Sequence, residues 1–252
     1  MVDGGAGVEV VDENRSLGNV PEMPVVVIAC RVFQGLIDQH LPPDLAERIS
    51  FLDYGLHRVP AKLTVAVQEE IDKLETPSLI VLGYGLCGNG LDGIKARQHY
   101  LLISRADDCI AILLGSYKRY IQEFEAEPGT YYLTKGWLES GSNPLSEFEE
   151  YKEKYGEKEA IWLMDQQYQH YKRLVLVAHS QEDLDKYRPQ AQEVAEFCER
   201  WGMHYEEILG SDIYVKRLVE MATIQGESNQ DFIVVPPGEE IKQMQFISRD
   251  YR

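Results

Sequence analysis

Residues 25–30 read Val-Val-Val-Ile-Ala-Cys, an uninterrupted apolar run that ends in a cysteine. A short run of this kind, rich in β-branched residues, is typical of a strand buried on both faces of a sheet. Further runs at residues 49–56, 78–84 and 100–104 have the same character, and segments with helical spacing of apolar residues separate them. This alternation predicts an α/β fold with mainly parallel sheets.

The alternation continues less densely beyond Pro128-Gly129, where further strands and helices are predicted. These later strands are expected at residues 130–134, 174–178, 204–209 and 231–235. We therefore expect two Rossmann-like α/β lobes, residues 24–127 and 128–252. In parallel sheets of this kind, ligands bind beyond the carboxyl ends of the strands, and we expect the site there.

Composition excludes several classes of partner. The 252 residues carry a formal net charge of −17, and lysines and arginines are interspersed with acids, so neither nucleic acid nor a membrane surface is an expected partner. No apolar stretch approaches the ~20 residues of a membrane-spanning helix. Residues 1–23 hold five acids and no signal-peptide pattern, which predicts a flexible leader. We expect a cytoplasmic protein with reduced cysteines.

Three cysteines and a histidine follow the first four predicted strands. Cys30 and Cys87 follow the first and third strands, His57 follows the second, and Cys109 lies shortly after the fourth. Because parallel strands end at one edge of a sheet, these scattered side chains could converge. Three thiolates and an imidazole are a normal ligand set for zinc. The pattern therefore predicts a metal site built from these four residues, with His57 either as the fourth ligand or as a hydrogen-bond donor beside the ligands.

An alternative interpretation stays open, in which the same cysteines are buried or reactive thiols that hold no metal. Cysteine is among the most buried residue types, and the chain contains no Cys-x-x-Cys pair. The fourth cysteine, Cys198, lies in the middle of a predicted helix and is expected to fill the core.

A glycine-rich segment at residues 83–93 follows the third strand. It does not continue as a dinucleotide fingerprint, and no lysine follows as in a phosphate-binding loop. We expect Tyr84, Gly85, Gly88 and Gly90 to let the backbone approach a ligand or metal around Cys87.

Three charged residues near strand ends are candidates for catalysis. Asp108 precedes Cys109 and either caps the helix that begins there or serves the site. Arg105 would favour the thiolate form of Cys109. Glu139 follows a later strand and is either a general acid or base or an exposed side chain.

Taken together, these residues resemble a family of bacterial and archaeal proteins named domain of unknown function 1638. The family pattern often has a histidine before the Asp-Cys pair, where this chain has Asp107. The resemblance spans roughly residues 24–240 and implies cytoplasmic proteins associated with corrinoid-dependent methyl transfer, but no established reaction. It rests on Ala29-Cys30, Gly55-Leu56-His57 with Pro60, Tyr84-Gly85-Leu86-Cys87-Gly88, Arg105 with Asp108-Cys109-Ile110, Leu114-Gly115-Ser116, and Tyr131-Tyr132-Leu133 with Gly136-Trp137.

These observations together give an expected function. We expect a zinc thiolate enzyme that acts in methyl or alkyl transfer in corrinoid-linked one-carbon metabolism, with a small-molecule substrate or a corrinoid protein as its partner. Zinc would act as a Lewis acid on the group that is transferred. Two alternatives stay open: an iron–sulfur enzyme with three cysteine ligands and an open iron, and a non-catalytic accessory protein that binds a corrinoid.

Overall fold

The computed structural model describes residues 20–247, which form a mixed α/β fold. The strands are β1 (Val25–Cys30), β2 (Ala46–Leu52), β3 (Leu79–Gly83), β4 (Tyr100–Ser104), β5 (Thr130–Thr134), β6 (Arg173–Ala178), β7 (His204–Leu209) and β8 (Phe232–Val235). The helices are α1 (Gln34–His40), α2 (Pro60–Asp72), α3 (Cys109–Leu113), α4 (Tyr117–Ala126), α5 (Lys135–Glu139), α6 (Pro144–Tyr155), α7 (Glu157–Tyr168), α8 (Gln181–Cys198) and α9 (Ile213–Ile224). None of these helices is both long and apolar enough to cross a bilayer.

The larger sheet has the strand order β2-β1-β3-β4-β8. Its first four strands are parallel, and β8 runs antiparallel to β4. Strands β1 and β3 are buried along almost their whole length because helices cover both faces. On one face, Leu63, Val67 and Ile71 of α2 pack against the sheet, and α1 and α9 pack on the other. The predicted mainly parallel α/β architecture is confirmed.

The smaller sheet has the order β5-β6-β7, and all three strands are parallel. Helices α6, α7 and α8 form a core with one of its faces. From the other face, Val175 and Val177 enter the core that α3, α9 and the larger sheet share. The two sheets are therefore joined by a common apolar core. The Rossmann-like classification of the two lobes stays a prediction.

The chain returns to the larger sheet after β7. Phe232 and Val234 of β8 enter the core on one face of that sheet, and Ile233 and Val235 enter the core on the other. Residues of the expected second lobe, in α9 and β8, thus pack with the larger sheet. The division into lobes at residues 24–127 and 128–252 stays a prediction.

Two expected elements differ in the structure. The helix expected to begin at Cys109 already ends at Leu113, and α4 follows as a separate helix. The break occurs because Gly115 has a left-handed φ of 87° and Ser116 caps the new helix by accepting a hydrogen bond from the Arg119 N–H at 3.1 Å. The second strand ends at Leu52, before a 3₁₀ helix at Tyr54–Arg58. Most of the expected leader lies outside the described residues.

Candidate functional site

A small cavity, here called the cysteine cavity, lies at the carboxyl ends of the parallel strands of the larger sheet. Its volume is about 20 Å³, which is room for about one water molecule. Three of the predicted ligands, the thiols of Cys30, Cys87 and Cys109, come together here. The lining residues are Cys30, Val32, Phe33, Asp53, Tyr54, Leu56, Tyr84, Cys87, Cys109 and Trp137.

Two loops that follow β3 and β4 are held side by side by backbone hydrogen bonds. The N–H of Leu86 donates to the Ala106 carbonyl at 2.8 Å, and the N–H of Cys87 donates to the Asp107 carbonyl at 2.8 Å. These bonds extend the pairing of the two strands past their ends. They set Cys87 beside the start of α3, where Cys109 is the first residue.

The backbone in this region is conformationally demanding. A Cβ atom at Gly85 would lie 2.8 Å from the carbonyl carbon and oxygen of Asp108, so only glycine allows the two loops to approach this closely. Cys87 has a φ of +50°, a left-handed conformation that costs a residue with a side chain about 1–2 kcal/mol. Gly88 and Gly90 complete the turn without lining the cysteine cavity. Their predicted role in cofactor binding stays a prediction.

The thiols of the cysteine cavity are stabilised in their protonated form. Burial raises the pKa of Cys30 from about 9 to about 11. Burial, the carboxylate of Asp108 and the neighbouring thiols raise the pKa values of Cys87 and Cys109 further above the usual range. Without a cation to stabilise the thiolates, these three groups are neutral at pH 7.

The raised pKa of Cys30 predicts a pH dependence of stability. Because the folded state keeps the proton to higher pH than the unfolded chain does, this contribution is complete below about pH 9 and is lost as pH rises through about 11. We expect unfolding of metal-free protein in denaturant to show a loss of about 2–3 kcal/mol over this interval that the Cys30→Ala variant lacks. Parallel pH profiles of the two proteins would contradict this prediction.

The hydroxyl of Tyr84 is a buried polar group in the same cavity. Tyr84 is 3% exposed, and its hydroxyl has no hydrogen-bond partner among the described residues. Burial and the nearby Cys30 and Cys87 raise the pKa of this phenol well above its usual range, so it is a neutral donor. Buried hydroxyls in proteins nearly always have a partner, so this one is available to a group in the cavity.

The remaining predicted ligand is His57, which lies in the 3₁₀ helix after β2, next to the cavity-lining Leu56. The position of its side chain is outside the described part of the structure. Among the described residues, no group of three or more His, Cys, Asp or Glu side chains is arranged to hold a metal ion as it stands.

Two of the three catalytic candidates have structural partners. Asp108 caps α3 by accepting a hydrogen bond from the N–H of Ile110 at 2.8 Å, and burial raises the pKa of its carboxyl group. The guanidinium of Arg105 donates to the backbone carbonyls of Gln245 and Asn229, and it does not line the cysteine cavity. These contacts give both residues a structural role, and their catalytic roles stay predictions.

Glu139 does not line the cysteine cavity but bonds to a residue that does. Its carboxylate accepts a hydrogen bond from the hydroxyl of Tyr54 at 3.2 Å and another from the hydroxyl of Tyr187. Tyr54 follows β2 and lines the cavity, so its hydroxyl connects Glu139 to the site. Burial and the carboxylate raise the pKa of Tyr54 to about 12.

Three aromatic residues of the cavity were not predicted from the sequence: Phe33, Tyr54 and Trp137. Tyr54 could have been found by the rule that identified the cysteines, because it also follows a parallel strand. Trp137 follows β5 of the smaller sheet and reaches the cavity from the other lobe. Only the packing of the lobes reveals that contact.

A larger cavity of about 280 Å³, here called the interlobe cleft, lies beside the cysteine cavity. The two share Trp137, and Asp108 of the cleft adjoins Cys109 in the chain. The lining residues are Arg58, Asp108, Ile110, Thr130, Tyr131, Tyr132, Trp137, Ser142, Glu147 and Tyr171. Residues of both lobes therefore form the space next to the thiols.

Comparison with known proteins gives one match. A family model described as "Protein of unknown function (DUF1638)" matches residues 51–219. The matched range contains Cys87 and Cys109, whereas Cys30 lies before it. Neither a curated protein nor a solved structure matches this chain.

Proposed function

Because that match spans more than half of its length, the chain belongs to this family of proteins of unknown function, and we propose that it binds one metal ion through Cys30, Cys87 and Cys109. Zinc is the metal that we favour, with His57 as the fourth ligand. The observation that carries the proposal is the convergence of three thiols, from the ends of three neighbouring parallel strands, on one small cavity.

Three features of the cavity support a bound metal. Thiolates are soft ligands that select zinc, copper or iron–sulfur centres. The hydroxyl of Tyr84 could donate to a sulfur atom or to a group held by the metal. The left-handed backbone at Cys87 is the kind of local strain that proteins retain at functional sites.

The size of the cavity favours a single ion. About 20 Å³ accommodates one ion or one water molecule but neither an iron–sulfur cluster nor a corrinoid without movement of the surrounding side chains. Binding requires the thiols to lose their protons and to rotate toward one another, since no described group of ligands is arranged to hold the ion as it stands. A corrinoid would therefore reach the site on a partner protein.

We propose further that the protein is a cytoplasmic transferase for methyl or alkyl groups, with the site at the strand ends of two Rossmann-like lobes. Bound zinc would supply Lewis acidity to the group that is transferred. Tyr84 and Tyr54 would orient that group, and the apolar side chains of Val32, Phe33 and Trp137 would exclude water. The interlobe cleft would hold the small-molecule substrate.

Purification without oxygen, followed by elemental analysis and an absorption spectrum, tests the metal proposal. We expect about one equivalent of zinc per chain and a colourless protein, because zinc has a filled d shell. Protein that is free of metal and takes up neither zinc nor iron would refute the proposal, and would leave the thiols as candidate nucleophiles.

Replacing His57 by alanine separates zinc from an iron–sulfur centre. A zinc site with three cysteines and one histidine should lose affinity in this variant. A brown protein that bleaches on reduction and keeps its colour in His57→Ala would instead indicate a cluster on three cysteines.

A further inference from the structure

Four of the ten residues that line the interlobe cleft are aromatic. Tyr131, Tyr132, Trp137 and Tyr171 all face it. The ring centroid of Tyr131 lies 6.3 Å from that of Trp137, at an interplanar angle of 48°, and 5.7 Å from that of Tyr171, which it meets edge to face at 77°. The three rings therefore form one aromatic surface whose members stand at angles to one another. The faces of such rings carry partial negative charge and attract cations.

Carboxyl groups stand beside this aromatic surface. Glu147 lines the cleft and accepts a hydrogen bond from the hydroxyl of Tyr168 at 2.7 Å, which fixes its position. Asp108 lines the cleft next to Cys109. Asp108 and Glu147 are thus two acidic residues in the lining of the cleft, against one basic residue, Arg58.

Arg58 is the basic residue among those that line the cleft, and its positive charge is already paired with nearby carboxylates. Its guanidinium lies 3.8 Å from a carboxylate oxygen of Glu147 and 3.9 Å from one of Glu150. An anionic ligand would have to compete with two carboxylates for this side chain. The lining therefore favours a cation over an anion.

We infer that the interlobe cleft binds a small organic cation whose nitrogen is fully alkylated. A quaternary ammonium group has no N–H to donate, so aromatic faces stabilise it better than hydrogen-bond acceptors do. The volume of about 280 Å³ suits a molecule of a few carbon atoms around such a centre. Binding of the cation in the cleft does not depend on the proposed metal. Trp137 lines both cavities, so the bound cation would lie close to the thiols. A role for the cation as the substrate rests on the proposed function.

Calorimetric titration with choline and with 3,3-dimethylbutan-1-ol, its neutral isostere, tests this inference. The two probes have the same shape and differ only in charge. We expect choline to bind about tenfold more tightly, the difference that a desolvated cation–π contact gives. Equal affinity for the two probes, or no binding of choline, would overturn the inference.

Variants of one ring show where the cation binds. Tyr171→Leu should weaken choline binding at least about fivefold, whereas Tyr171→Phe keeps the ring and should keep the affinity. Trp162→Leu is the matched control, because Trp162 is an aromatic residue that is 61% exposed and lies outside the cleft. Loss of binding in Trp162→Leu, or its retention in a folded Tyr171→Leu protein, would place the ligand elsewhere and overturn the assignment.

Two further measurements distinguish the cation site from an anion site and from the proposed metal site. If 3,3-dimethylbutanoate binds in preference to choline and Arg58→Gln abolishes that binding, the cleft is an anion site and the inference is wrong. Metal analysis of the same samples distinguishes the two proposals. Metal-free protein that binds choline refutes only the metal site, and metal-loaded protein that ignores choline refutes only the cation site.

Discussion

Replacing Cys87 by serine is expected to leave the protein with less than about a tenth of its zinc after dialysis against a chelator. A hydroxyl is a far poorer ligand for zinc than a thiolate, and loss of even an outer-shell partner lowers metal affinity about 10–100-fold. Cys30→Ser and Cys109→Ser should behave alike, because the three thiols line one cavity. Elemental analysis of the dialysed variants measures the effect.

Cys198 provides the matched control. It is fully buried in the core between α8 and the smaller sheet, away from the cysteine cavity. Cys198→Ala should keep its zinc and lose about 1 kcal/mol of unfolding free energy, because it removes only one buried atom. If Cys198→Ala is the variant that loses metal, the placement of the site at the strand ends of the larger sheet is wrong.

Gly85→Ala is expected to destabilise the protein strongly although it adds only one methyl group. The added Cβ would lie 2.8 Å from the backbone carbonyl of Asp108, and backbone atoms on both sides would have to shift. We expect a loss of about 2–4 kcal/mol in denaturant unfolding, the range for overpacking combined with backbone strain. Because the shift separates the loops that carry Cys87 and Cys109, zinc affinity should fall as well.

The same substitution at Gly35 is the control. Gly35 lies in α1, and a Cβ there would meet only the end of the Lys135 side chain, at an ordinary distance of 3.5 Å. Alanine is a better helix former than glycine, so Gly35→Ala should leave stability unchanged or raise it by up to about 1 kcal/mol. Equal destabilisation by both variants would show that close approach of the loops is not the cause at Gly85.

Periodicity and composition predicted most of the fold because several strands, among them β1 and β3, are uninterrupted apolar runs. The runs at β1 and β3 are buried on both faces, and such runs allow few other interpretations. The partner of β8 could not be predicted, since its apolar sequence suits an edge strand of either sheet. The break between α3 and α4 depends on Gly115, which approaches Ser211 from a distant part of the chain.

The convergence of the three cysteines was predictable because topology alone delivers it. Parallel strands end at one edge, so residues that follow them meet whatever their separation in sequence. The contact of Trp137 with the cysteine cavity was not predictable in this way. Trp137 reaches the cavity from the other lobe, through contacts between side chains that no periodicity encodes.

The pairing of β4 with β8 has a kinetic consequence. It joins Leu101 to Val235, from opposite halves of the chain, so this edge of the sheet forms only after a long loop has closed. Arg105, which lies four residues before Cys109 in the chain, then donates its backbone N–H to the Asp231 carbonyl. During synthesis on the ribosome the thiols therefore emerge well before the strand that completes their sheet. The thiols are then accessible to an oxidant, or to the metal ion that we propose, before the sheet is complete.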